Sequence, residues 1–94
     1  MTEIVLLVGA QADLIGLCAR HGENAYQRID QELELIRKMP EIAPIFAGRF
    51  RRRVVSGMPF GIFYSSLGSR VIVSAVLDLR QDPATVFRRL GIES

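Results

Sequence analysis

Residues 52–83 read RRVVSGMPFGIFYSSLGSRVIVSAVLDLRQDP. Two β-strands joined by a tight turn account for most of this stretch. Phe60 to Ser66 and Arg70 to Asp78 are rich in branched and aromatic residues, the composition that suits a pleated, half-buried surface. Between them LGS places a glycine where a hairpin turn asks for positive φ. In the second of these strands Val71, Val73, Ala75 and Leu77 fall on one face, and Ile72, Ser74 and Val76 on the other. Both faces are largely apolar, so the strand is expected in the interior of a sheet, covered on both sides. Pro59 stands at the entry to the first, where a missing N–H is tolerated. Asp82 and Pro83 then end the sheet and open a short helix, the aspartate as cap and the proline at the first helical position. Gly91 closes that helix, with Val86, Phe87 and Leu90 turned inward.

Toward the N-terminus, Arg49 to Ser56 reads as a third strand that stops at Gly57. Strand alternation puts Arg49, Arg51 and Arg53 on one side and Arg52 on the other. PEIAPIFAG, with Pro40 and Pro44, reads as an irregular connector. Before it, Tyr26, Ile29, Leu33 and Ile36 recur at intervals of three and four, the stripe of an amphipathic helix. Asn24 with Gln27 forms a capping-box pattern at its start, Glu34 and Lys38 form an i,i+4 pair, and Pro40 stops it. A shorter helix precedes it, with Leu14, Leu17 and Cys18 at helical spacing and Gly22 as its cap. About four residues join the two, so they pack as an antiparallel hairpin. Glu3 to Val8, EIVLLV, reads as an opening strand that ends at Gly9. The order is strand, helix, helix, three strands, short helix. That is an α+β fold, a helical hairpin packed on a largely antiparallel sheet.

A chain of 94 residues is expected to form one domain, residues 1–94, with a modest core. The single cysteine, Cys18, has no internal disulfide partner, which suits a reducing compartment. No apolar run is long enough for a membrane span or a signal core, so a soluble, cytoplasmic protein is expected. The formal net charge of +2 is too small to announce a nucleic-acid binder. Its distribution says more: four arginines lie between Arg49 and Arg53, and five acidic residues lie between Glu23 and Glu41. A basic strand set against an acidic helix implies a polarised surface.

Most recognisable chemistry is missing. There is no P-loop, no GxGxxG, no CxxC and no histidine cluster, so no metal and no cofactor is expected. His21, the only histidine, sits at a helix end, where it complements the helix C-terminus. Cys18 reads as a small core residue. What remains is arginine chemistry, which favours oxyanions bound bidentately. Arg80 stands just past a buried strand, flanked by Asp78 and Asp82.

The order of motifs resembles the RelE/ParE superfamily of bacterial toxins from type II toxin–antitoxin pairs. The likeness covers most of the chain and is strongest over MPEIAPIFAGRFRRRVVSGMPFGIFYSS and VIVSAVLDLRQDP. It implies the RelE/ParE-like fold and a toxin neutralised by a cognate antitoxin, of the kind associated with plasmid stabilisation. It also implies a target, either DNA gyrase, as in the ParE branch, or mRNA on the ribosome, as in the RelE branch. An inactive remnant that still binds antitoxin is a third reading. As an RNase the chain would use Arg80 with Arg51 and Arg53. As a binding protein it would meet its target or antitoxin through Arg49, Arg51, Arg52, Arg53, Arg80 and Asp82. The sequence departs from the nuclease pattern. Asp78 stands where many relatives have a histidine, and no tyrosine or histidine follows Arg80. VLDLRQDP resembles the VLHxRRDP pattern of the ParE branch, which needs no catalytic set of its own. An antitoxin segment would fold onto the helical hairpin and the sheet edge.

Overall fold

The computed structural model describes residues 2–92. Its elements are β1 (Glu3–Leu6), α1 (Val8–His21), α2 (Glu23–Lys38), β2 (Ile45–Ala47), β3 (Phe50–Val54), β4 (Phe60–Leu67), β5 (Arg70–Asp78) and α3 (Pro83–Leu90). The sheet runs in the order β1-β5-β4-β3-β2. β1 is parallel to β5 and every other neighbouring pair is antiparallel. The α+β architecture expected from the sequence is the one observed.

Two apolar layers hold it together. The helical hairpin covers one face of the sheet, where Ala10, Leu17, Ala25, Ile29, Leu33 and Ile36 meet Phe60, Ile62, Tyr64, Val71, Val73 and Val76. On the other face α3 brings Val86 and Leu90 against Phe50, Phe63, Ala75 and Leu77. β4 and β5 are therefore covered on both sides, which their apolar composition requires. The Tyr64 ring is fully buried, and its hydroxyl donates to the Pro40 carbonyl at 2.7 Å. That bond satisfies a polar group that burial would otherwise leave costly.

Several boundaries differ from the sequence reading. β1 ends at Leu6, and α1 begins at Val8 rather than after Gly9. Leu7 stands at the junction, donating its N–H to Val73 O while Gln11 Nε2 donates back to Leu6 O. An apolar run that crosses from strand to helix without a break hides such a boundary. The two helices are joined by Gly22 alone, with φ of 82°. Its N–H donates to Cys18 O, so one positive-φ residue both ends α1 and starts α2, a conformation glycine adopts without steric cost. Asn24 accordingly lies inside the first turn, and no side chain caps α2. Within α2, Glu34 pairs bidentately with Arg37, not Lys38, and Ala25 takes the buried place expected of Tyr26, which is half-exposed.

The connector after α2 contains a further edge strand, β2, paired irregularly with β3. In the other hairpin Leu67 pairs with Arg70, leaving Gly68 and Ser69 as a two-residue turn with Gly68 φ of 61°. A larger correction concerns β5. Phe63 pairs with Ala75 but Tyr64 pairs with Val73, so Ser74 has no partner and forms a bulge. One extra residue reverses the alternation. Val71 and Val73 face the helical hairpin, whereas Ala75 and Leu77 face α3. The four do not share a face along the strand, as uninterrupted pleating predicts.

Candidate functional site

The arginine strand divides its side chains. On the helical side, Arg51 Nη1 donates to Ala43 O at 2.7 Å and Arg53 Nε pairs with Glu32. On the other side, the Arg52 guanidinium lies 5.0 Å from the Phe46 ring centroid. Arg49 is not in the strand. It occupies the turn between β2 and β3 and lies over Phe50, at 4.9 Å. Phe50 belongs to the α3 face, so Arg49 keeps company with Arg52 rather than with Arg51 and Arg53. The strand thus couples Arg51 and Arg53 to the helical layer and shows Arg52, with Arg49 of the preceding turn shown beside it, each of the latter two backed by an aromatic face.

Arg80 belongs to a different place. A groove of about 440 Å³ opens between α1 and the end of β5, lined by Asp13, Leu17, Arg20, Val76, Leu77, Asp78, Arg80 and Gln81. Neither Arg51 nor Arg53 lines it. Asp78 holds Arg80 by three bonds: Nε to Oδ1 at 3.0 Å, Nη2 to Oδ2 at 2.7 Å, and the Arg80 backbone N–H to Oδ1 at 2.9 Å. The guanidinium, then the backbone N–H, pull the Asp78 pKa down to about 2. Asp82 turns away to cap α3, its Oδ1 accepting from Ala84 N.

Asp13 is a residue that the sequence reading passed over. β1 ends opposite Val73, so β5 runs on without a neighbouring strand on that side. There Asp13 Oδ2 accepts the Val76 N–H at 3.0 Å, standing in for the missing strand. Both its oxygens also receive Arg89 of α3, at 2.9 and 2.7 Å. One carboxylate therefore ties α1, β5 and α3 together. Its only sequence signal was being the one acidic residue of α1.

The opposite flank of α1 is apolar. Leu6, Gln11, Leu14, Ile15, Cys18 and Tyr26 line a groove of about 410 Å³. A second, of about 220 Å³, continues along Ile4, Leu33, Asp30 and Glu34. Ile15 is 72% exposed there, and Cys18 is half-buried rather than enclosed in the core. The outer side of β1 is a sheet edge, whose unpaired backbone groups accept an added strand.

The proton chemistry beside Arg80 is thin. Asp78 is ionised at neutral pH, so it holds no proton to deliver. The Tyr64 hydroxyl is committed to Pro40, and burial pushes its pKa up. His21 rests on Phe60, ring centroids 4.9 Å apart. No cluster of three potential metal-ligating side chains occurs among the described residues. The Asp78 assignment has a direct check. Its carboxyl carbon should titrate by NMR near pH 2 in the native protein, and Arg80→Ala should return it to the ordinary aspartate range. Because the folded pKa is depressed, this pair contributes its small share of stability above about pH 4 and loses it as pH falls toward 2.

No protein-family model and no curated protein matches the chain in sequence. Among solved structures, it is similar to a chain of the chromosomal ParDE TA system from P. aeruginosa. The two share 15% identity with a TM-score of 0.62, over 85% of this chain and 98% of the other. The fold is shared at a level where side chains are not.

Proposed function

We propose that the chain is the toxin of a type II toxin–antitoxin pair, working in the cytoplasm and silenced by a partner polypeptide. The antitoxin lies on the apolar flank of α1 and α2 and along the β1 edge, and the toxin acts by binding DNA gyrase. The observation that carries this reading is the fold shared with the ParDE structure. Two features support its finer parts. The apolar grooves beside an unpaired sheet edge offer what a segment that folds on binding needs. Arg80 has beside it a carboxylate held ionised, which gives RNA cleavage no proton donor and would repel the phosphodiester.

A brief pulse of expression in a bacterium, with labelled thymidine and methionine uptake followed over the first minutes, tests the target. Thymidine incorporation is expected to fall first. Methionine falling first would replace the gyrase reading with ribosome-dependent mRNA cleavage, and no effect on either would leave an antitoxin-binding remnant. The docking surface has its own test, made with the cognate antitoxin. Ile15→Glu should leave the fold intact, since that side chain is mostly exposed, yet weaken the complex by about 30-fold or more, the loss typical of a hot spot. Unchanged affinity would remove the α1 flank from the interface.

A further inference from the structure

We infer that the groove between α1 and the end of β5 receives an acidic side chain of a partner polypeptide, its carboxylate held between Arg20 and Arg80. This rests on the reading that the chain works by contact with another protein, and it assigns a second contact, distinct from the apolar flank of α1.

The charge balance of the groove points to an anion. Its two carboxylates are already matched. Asp13 is taken by Arg89 and the Val76 N–H, and Asp78 is taken by Arg80. Arg20, on the facing wall, makes no ion pair among the described residues. One positive charge is therefore uncompensated at the rim. Arg80 adds directed donors. Asp78 engages its Nε and Nη2, which leaves the Nη1 hydrogens for a further acceptor. The pairing also holds the guanidinium in place, so less side-chain freedom is lost when a ligand arrives. Arginine has donors and no acceptor, so the complementary group is an oxyanion.

The floor decides which oxyanion. Leu17, Val76 and Leu77 are buried aliphatic residues, and no aromatic ring lines the groove. A nucleic-acid strand would find no surface for a base to stack on. A glutamate suits the groove better, with its methylenes on the aliphatic floor and its carboxylate at the two guanidinium groups. The volume of about 440 Å³ is ample for one such side chain with a stretch of its backbone. Because α1 presents Leu14, Ile15 and Cys18 to one groove and Asp13, Leu17 and Arg20 to the other, a segment crossing this helix reaches both.

The test uses the full chain labelled with ¹⁵N and two probes, acetyl-Leu-Glu-Glu-Leu-amide and its glutamine analogue. The glutamate peptide is expected to move the Arg20 and Arg80 Nε–H signals saturably, and the glutamine peptide is not. Arg20→Gln should weaken the response about tenfold, as loss of a charge-assisted bond does. Raising the salt from about 50 to about 500 mM should weaken it further. Equal shifts from both peptides, or no shift from either, would overturn the inference. So would a pentathymidylate probe that moves these signals where the glutamate peptide does not, which would assign the groove to phosphate. A chain that proves non-toxic yet binds the glutamate peptide loses the toxin reading and keeps this site. A toxic chain whose Arg20 and Arg80 ignore the peptide loses only this site.

Discussion

Asp13→Ala is expected to lower the stability of the protein by about 2–4 kcal/mol, out of a total on the order of 5–10 kcal/mol. Two losses combine. The Val76 N–H, on the side of β5 that β1 no longer covers there, loses its acceptor. Arg89 loses both bonds that fasten α3 to α1. The first loss is the larger. The Arg89 side chain is 36% exposed, and water screens an ion pair at that exposure. A domain of this size should melt roughly 10–25 °C lower. Asp13→Asn separates the two parts. Its amide oxygen still accepts from Val76, and only the charge is gone, so it should cost about 0.5–1.5 kcal/mol. Urea denaturation of both variants is the measurement. Equal losses below about 1 kcal/mol would show that the edge of β5 is satisfied by water instead.

Phe63→Ala should cost about 3–5 kcal/mol, the range for emptying a fully buried aromatic site. The ring is completely enclosed. It meets Phe46 edge-on at 5.2 Å and belongs to the cluster that seats α3. That cluster lies on one face of the sheet, and the helical hairpin packs on the other through different residues. The damage should therefore be local first. Amide hydrogen exchange is expected to rise most in α3 and β2, while α2 keeps most of its protection. Equal loss of protection in α2 and α3 would mean that the two layers unfold as one unit.

Both predictions rest on residues whose roles are unequally legible in the chain. Phe63 is in a run whose branched and aromatic composition is enough to assign it to a strand. Asp13 lies 63 positions from Val76 and 76 from Arg89, and nothing local marks that meeting. The arginines show the same divide. Their alternation along β3 correctly separates Arg51 and Arg53 from Arg52. It does not reveal that the first two are occupied by Ala43 O and Glu32, or that Arg49 belongs to a turn. Asp82 and Pro83 were legible as a helix start because capping is a contact between near neighbours.

The sequence by itself determined the order of seven of the eight elements, the amphipathic face of α2, the hairpin of β4 and β5, and the capped start of α3. All of these depend on periodicity or on residues a few positions apart, where backbone geometry dictates the outcome. Only the tertiary structure decided the rest. It placed a bulge at Ser74, which reverses which face Ala75 and Leu77 show. It added β2, three residues too short to carry a pattern of its own. It placed Arg20 and Arg80 across one groove and left Arg51 and Arg53 outside it. These outcomes depend on which distant elements compete for the same edge, face or donor, and that competition is settled only when the whole chain packs.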